Sequence, residues 1–329
     1  MPRTLYAQRD HFPLNAPFRI SRGVKTAADV VTVTIAEDGV AGRGEAVPYS
    51  RYGECLDSTI EAIEAVRALV EAGGGREDLL AVLPAGAARN ALDCALWDLE
   101  ARQVGRDVAE TIGGAAPAPV ATALTISIDT PEAMAEAARR LAHVPLLKVK
   151  VDGSDPEAQI RAVRAAAPEP ALIVDPNESW DRERVTAMQS VLVAARVALL
   201  EQPVPADADD WLEDFAPAVP ICADESLHVA ADLAIVARRY QVVNVKLDKT
   251  GGLTEALRVA QAARGMGLKL MTGCMISSSL SVAPALHIAQ MSDFVDLDGP
   301  LWLREDYPGG IVETDGIIRP PAPGFWGTR

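Results

Sequence analysis

Six side chains carry the chemistry that this sequence can offer. Three are acids that each close an apolar run: Asp175 in LIVDPNESW, Glu201 in ALLEQP and Asp224 in ICADES. Two are lysines two positions apart, Lys148 and Lys150 in LLKVKVDG, and the sixth is Lys246 in VVNVKLDKTGG. In a β-strand, residues i and i+2 share a face, so Lys148 and Lys150 point the same way. Burying such charges is costly without compensation. Three carboxylates brought together repel one another unless a cation neutralises them. All three offer oxygen, which suits Mg²⁺. His11, His143, His228 and His287 lie outside these runs, which weakens a zinc reading.

Read singly, each acid is a helix cap and each lysine a snorkelling residue on a half-exposed strand. Read together, they form a metal site flanked by amines. Desolvation and nearby positive charge lower a lysine pKa towards neutrality, which a general base needs. Lys148 supplies such a charge beside Lys150. Lys249 competes with Lys246 for the second base. Strand alternation puts Asn244, Lys246 and Asp248 on one face and Lys249 in the following loop. Lys246 is therefore the expected base, and Lys249 a supporting residue.

The elements that must position these groups follow a regular beat. From about residue 120, short β-rich runs alternate with amphipathic helices. The polar residues near the C-terminal ends of the runs are Thr125, Lys150, Asp175, Glu201, Asp224, Lys246, Cys274 and Asp296. Successive members are 25, 25, 26, 23, 22, 28 and 22 residues apart. Alternating β and α predicts a parallel sheet, and eight units predict a closed (β/α)₈ TIM barrel, an α/β fold with its site at the strand C-termini. An open doubly wound sheet is the alternative, and it rarely needs eight units so evenly spaced. The earlier part reads as mixed α and β. A hairpin is expected over 30–47, turning at Asp38-Gly39, with helices over 57–73 and 85–103.

The chain has 329 residues, 49% hydrophobic and 23% charged, with a net charge of −15. That balance gives ample core and argues against nucleic acid, whose phosphates demand a basic patch. It leaves small anionic ligands open, because a local site can reverse the global sign. The cysteines Cys55, Cys94, Cys222 and Cys274 are scattered and form no CxxC, as expected in a reducing compartment. No apolar leader core and no run of 18 apolar residues occurs, so a cytoplasmic protein with no membrane partner is expected.

The lysine pair KVK, then VDPNES, LEQP, ADES and NVKLDKTGG, resembles the enolase superfamily over nearly the whole chain. The resemblance implies an enolase-type modified barrel over 119–302, an α+β capping domain over 1–118, and a C-terminal segment, 303–329, that returns to the cap. It implies Mg²⁺ on Asp175, Glu201 and Asp224. Within the superfamily the chain is similar to the muconate-lactonizing subgroup, and most similar to the dipeptide epimerases, notably the L-Ala-D/L-Glu epimerases. The discriminating piece is DFVDLDGP, whose Asp296 and Asp298 share a face. By resemblance this pair grips the free α-ammonium of a dipeptide. A dicarboxylate substrate would find it repulsive. Asp298 alone is otherwise a turn residue before Gly299-Pro300.

The resemblance further implies a two-base reaction. The substrate carboxylate sits on Mg²⁺ near Lys148. Lys150 or Lys246 removes the α-proton of the C-terminal residue, and the other returns one to the opposite face. Thr125 and Cys274 are substrate-binding candidates at the barrel mouth, and Asn177 and Asp248 support the metal-binding residues. The loop FRISRGVKTAAD (18–29) should read the substrate side chain. Similar Ala-Glu epimerases carry arginine where this chain has Lys25. Lysine keeps the charge and loses the bidentate fork, and Arg22 is a nearby substitute. PYSRYGE (48–54) is expected to form the second capping loop. Two rivals remain: a cycloisomerase or dehydratase of the same superfamily, muconate-type or o-succinylbenzoate synthase-like, and a barrel that binds dipeptides without turnover. A role in murein peptide metabolism is implied by family alone, and a homo-oligomer is open to it.

Overall fold

The computed structural model describes residues 2–328. An antiparallel sheet opens the chain, with β1 (Thr4–Ile20), β2 (Gly23–Glu37) and β3 (Val40–Ala46) in that order. Asp38 and Gly39 join β2 to β3 with φ of 50° and 82°. A two-residue turn of the primed type needs both angles positive, and Asp-Gly supplies them. The long β1 was not foreseen, because Pro13 and Pro17 interrupt its sequence. The structure tolerates them because β1 is an edge strand, and its pairing with β2 shifts register between Pro13 and Phe18.

Helix Ala87–Val104 crosses this sheet at very short range. A Cβ placed on Gly44 would lie 2.1 Å from the Ala91 carbonyl, and one on Gly42 would lie 2.2 Å from the Leu99 amide nitrogen. Glycine is required there for close approach. The stretch expected as one helix over 57–73 is broken at Val66 into Leu56–Ala65 and Arg67–Glu71.

The two-residue strand β4 (Val120–Ala121) leads into the barrel. Its eight parallel strands are β5 (Leu124–Ile126), β6 (Leu146–Lys150), β7 (Ala171–Asp175), β8 (Val197–Glu201), β9 (Ile221–Ala223), β10 (Val242–Val245), β11 (Lys269–Gly273) and β12 (Phe294–Asp296). The Ala123 amide donates to the Val295 carbonyl at 2.8 Å and joins the first strand to the last. β13 (Val312–Thr314) then pairs with β14 (Ile317–Arg319), which pairs with β4. The C-terminal tail reaches the N-terminal unit, where the Gly327 amide donates to Asp98 Oδ1 at 2.7 Å and Trp326 Nε1 donates to the Arg43 carbonyl at 3.0 Å.

Strand alternation builds the site. The barrel floor is an apolar layer of Ala123, Leu146, Ile173, Leu199, Cys222, Val242 and Met271, with Phe294 against it. Two residues further along each strand, the same inward face carries Thr125, Lys148, Asp175, Glu201, Asp224, Asn244, Gly273 and Asp296. The apolar layer seals the barrel beneath a polar one. Each fully buried aliphatic side chain contributes about 1.5–3 kcal/mol towards holding that frame.

Two predictions follow from this packing. Gly44→Ala forces the sheet off its helix, so thermal denaturation should show a loss of about 1–3 kcal/mol. His287, in helix Ser279–Ala289, is 8% exposed and packs against Trp326. Burial lowers its pKa from 6.5 to about 4. Neutral His287 therefore contributes stability above pH 6.5 that is lost as pH falls towards 4. Urea unfolding of the parent should weaken across that window by on the order of 2 kcal/mol more than His287→Gln does.

Candidate active site at the barrel mouth

A cleft of about 630 Å³, part of it open to solvent, lies over the polar layer. Lys148, Lys150, Asp224, Lys246, Asp296 and Asp298 line it from the barrel. Lys25, Arg22, Phe18, Tyr49 and Tyr52 line it from the N-terminal loops. Lys148 Nζ lies 2.7 Å from Asp296 Oδ2, 2.7 Å from Glu201 Oε2 and 3.1 Å from Asp175 Oδ2. Lys150 Nζ donates to Asp175 Oδ2 at 2.5 Å and to Asn177 Oδ1 at 3.0 Å. Lys246 Nζ donates to Asp224 Oδ2 at 2.6 Å. Lys249 Nζ stands 2.7 Å from Asp224 Oδ1 and also donates to the backbone carbonyls of Asp224 and Asn244.

These pairs set the charge states. Burial alone would raise Asp175, but Lys150 and Lys148 override it and hold the carboxyl at about 2. Burial opposes the ionisation of Asp224 too, and Lys246, Lys249 and Lys148 hold it well below the usual carboxylate range. Glu201 is pushed up to about 7 by burial and by Asp175. Lys148, the positive charge expected beside Lys150, is itself held by three carboxylates. Burial lowers Lys148 and Lys246, yet their carboxylate partners outweigh it and raise both. The sequence displays the neighbouring lysine and hides these ion pairs, whose carboxylates lie on other strands.

The donor chemistry fits a hard divalent cation. Asp175, Glu201 and Asp224 are fully buried carboxylates on adjacent strands. Glu201 Oε2 and Asp224 Oδ1 accept no hydrogen bond, although an ammonium nitrogen lies 2.7 Å from each. As they stand, the carboxylates are spread around ammonium groups. Among the described residues no three Asp, Glu, His or Cys side chains are gathered closely enough to hold a metal ion.

The remaining candidates fall into distinct settings. Asp296 meets Lys148, and its Oδ1 is left without a hydrogen-bond partner among the described residues. Asp298 Oδ2 accepts from the Thr125 amide at 2.8 Å and from Trp302 Nε1 at 3.3 Å. Burial and Asp296 raise its pKa to about 6. Thr125 and Cys274 both line the cleft. Arg22 is engaged by the barrel: it donates to Glu225 Oε1 at 2.7 Å, to Glu178 Oε2 at 3.1 Å and to the Tyr49 hydroxyl at 3.1 Å. Lys25 has no carboxylate within ion-pair range among the described residues. Its ammonium lies 5.1 Å from the Tyr49 ring centre, and burial lowers its pKa. Asp248 turns to the N-terminal unit, accepting from the Val47 amide and from Asn90 Nδ2 at 2.9 Å each.

Several residues at the site went unread in the sequence. Glu225 and Glu178, which hold Arg22, carry no signal until the loop over them is in view. Arg51 reaches Glu178 at 2.7 Å from the segment expected to form the second loop. Met275 and Ile276 supply an apolar wall to the cleft. Glu45 accepts from the Ser278 amide at 2.8 Å across 233 residues of sequence.

Comparison with known proteins places the chain in a family. Residues 3–113 match the mandelate racemase / muconate lactonizing enzyme N-terminal domain, and residues 132–325 match the enolase C-terminal domain-like family. The chain is 47% identical to the L-Ala-D/L-Glu epimerase of Escherichia coli (strain K12), over 96% of this chain and 99% of that protein. It resembles a crystal structure of an enolase family member from Agrobacterium tumefaciens with homology to dipeptide epimerases, which holds sodium and L-Ala-L-Glu. There the TM-score is 0.97 at 46% identity, covering 99% of this chain and 100% of the other. A dipeptide epimerase from Methylococcus capsulatus, complexed with Mg and L-Arg-D-Lys, matches with a TM-score of 0.86 at 34% identity, covering 97% of each chain. With both of its units matched and such relatives spanning nearly all of it, the chain belongs to the enolase superfamily, in the mandelate racemase and muconate lactonizing enzyme family.

Proposed function

We propose that this chain is a Mg²⁺-dependent dipeptide epimerase that inverts the α-carbon of the C-terminal residue, with L-Ala-D/L-Glu or a related acidic dipeptide as substrate. One observation carries the reading: Lys150 and Lys246 enter the same cleft from β6 and from the end of β10, each on a different buried carboxylate. Two amines in one cleft can serve opposite faces of a planar intermediate, which is what inversion requires. A binding protein without turnover has no use for that pair. The cycloisomerase and dehydratase readings share it, but they leave Asp296 and Asp298 unexplained.

In this mechanism Lys150 or Lys246 takes the α-proton, and the other returns a proton from the opposite side. Lys148 stays an ammonium and steadies the substrate carboxylate as it becomes an enediolate. Asp175, Glu201 and Asp224 would hold Mg²⁺, which supplies positive charge to that carboxylate when bound. Asp296, with its unpartnered Oδ1, receives the substrate's α-ammonium, and Asp298 holds the strand end beside it. Thr125 and Cys274 border the substrate. Asn177 and Lys249 steady the carboxylates, and Asp248 ties the Lys246 turn to the cap. The cap spans 1–118, the barrel 119–302, and the segment 303–329 returns to the cap.

Lys25 favours an acidic side chain on the second residue. Arg22 is already neutralised by Glu178 and Glu225, so Lys25 is the cation in the cleft left without an anionic partner. Cytoplasmic residence fits the four free thiols, and a role in murein peptide metabolism fits an acidic dipeptide substrate. No helix among the described residues is long and apolar enough to cross a membrane.

Proton NMR of L-Ala-L-Glu in D₂O tests the reading. With enzyme and Mg²⁺ the glutamate α-proton should wash out while a second diastereomer grows in, and EDTA should stop both. Silence across a panel of acidic and neutral dipeptides would sink it. Lys25→Met should lower kcat/KM for L-Ala-L-Glu about 10–100-fold while sparing a neutral dipeptide, the range expected for a lost charged hydrogen bond. Equal losses on both substrates would remove Lys25 as the selector.

A further inference from the structure

The three carboxylates stand on three different strand ends, and one residue touches all three turns. Gln202 is fully buried and follows Glu201 directly. Its carbonyl accepts from the Glu178 amide at 2.9 Å, in the turn after Asp175. Its side-chain Oε1 accepts from the Asp224 amide at 2.8 Å and from the Ser226 amide at 3.1 Å. The backbone bends sharply to allow this. Gln202 has φ of 30°, and Asn177 and Glu178 have φ of 46° and 66°. Such angles are uncommon for residues with side chains, and they gather where function constrains the backbone.

A second layer fixes which way the Gln202 amide points. Its Nε2 donates at 2.9 Å to the Val204 carbonyl and at 3.0 Å to both the Tyr240 hydroxyl and Ser226 Oγ. Both hydroxyls donate onward to Asp209 Oδ2 at 2.6 Å. Arg239 Nη1 donates to Asp209 Oδ1 at 2.5 Å. With Arg239 on its other oxygen, the Asp209 carboxylate accepts from both hydroxyls, so each hydroxyl spends its proton there and turns lone pairs towards Gln202. Rotating the amide by half a turn would set its oxygen against three oxygens and its NH₂ against two backbone amides. One orientation is therefore enforced, with Oε1 on the Asp224 turn.

We infer that Gln202, oriented by the Tyr240–Ser226–Asp209 relay, is a positioning residue that sets the mutual spacing of Asp175, Glu201 and Asp224 for cation binding. None of Gln202, Ser226, Tyr240 and Asp209 lines the cleft. It works as an outer partner that aims a metal-binding side chain, and loss of such a partner typically weakens metal affinity about 10–100-fold. The inference rests on the proposed Mg²⁺ site.

Calorimetric titration of Mg²⁺ into the folded chain, without substrate, tests it. Tyr240→Phe removes one acceptor and keeps the ring. Gln202→Leu removes the hub, and Tyr240→Phe carries the test should that variant not fold. Val185→Ala, a cavity in the helix Arg182–Ala194 within the core cluster that Tyr240 shares, removes none of the relay's hydrogen bonds and is the control for lost stability alone. The expected result is a Mg²⁺ dissociation constant raised about tenfold in Tyr240→Phe and at least as much in Gln202→Leu, with Val185→Ala unchanged. Folded Tyr240→Phe binding Mg²⁺ within twofold of the parent would overturn the relay alone. An equal rise in Val185→Ala would reduce it to general stability and overturn it too. A parent chain that binds no Mg²⁺ would overturn the metal site, and the relay with it.

Discussion

The barrel mouth is governed by the cost of burying charge. Asp175, Glu201, Asp224 and Lys148 are all almost wholly out of water, and Lys150 and Lys246 nearly so. An isolated charge there would neutralise or unfold the site, so each exists only because of its neighbours. Removing one partner would strand another. That mutual dependence explains why the strands carry charges on successive inward positions and why the layer below is strictly apolar. The floor excludes water, which strengthens every interaction above it.

The N-terminal unit is bound to this arrangement by polar contacts at the same height. Asp248, two residues after Lys246, holds the Val47 amide and Asn90. Glu45 holds Ser278, at the start of the helix that follows the Met275 and Ile276 wall. Burial pushes Asp248 up to about 7 and Glu45 up to about 8. Arg22 and Arg51 converge on Glu178 from the two loops of that unit. The loops that wall the cleft thus rest on the turns that carry the carboxylates and lysines. The walls of the cleft and its buried charged groups share one set of contacts.

Much of this was legible in the sequence, because two periodicities write it directly. The period of two within strands put Lys148 with Lys150 and Asp296 with Asp298, and the repeat of strand plus helix announced eight strands. Asp38-Gly39 marked its turn through backbone chemistry alone. What stayed hidden depends on long-range pairing. β1 looks broken because prolines are permitted only where no neighbour needs the amide. Arg22 read as a substrate partner because Glu225 and Glu178 are more than 150 residues away. The ion pairs of Lys148 and Lys246 stayed hidden for the same reason, since their carboxylates lie on other strands. Gln202 carries no charge and no motif of its own, and only its bonds reveal it.

The central claim is that Lys150 and Lys246 address opposite faces of one α-carbon. It is tested most directly by following α-proton exchange of the separate L,L and L,D dipeptides in D₂O with Lys150→Ala and Lys246→Ala. The account predicts that each variant loses epimerisation, and that each retains deuterium incorporation into one diastereomer only, the opposite one for the two variants. Exchange of the same diastereomer by both variants, or full epimerisation by either, would contradict it.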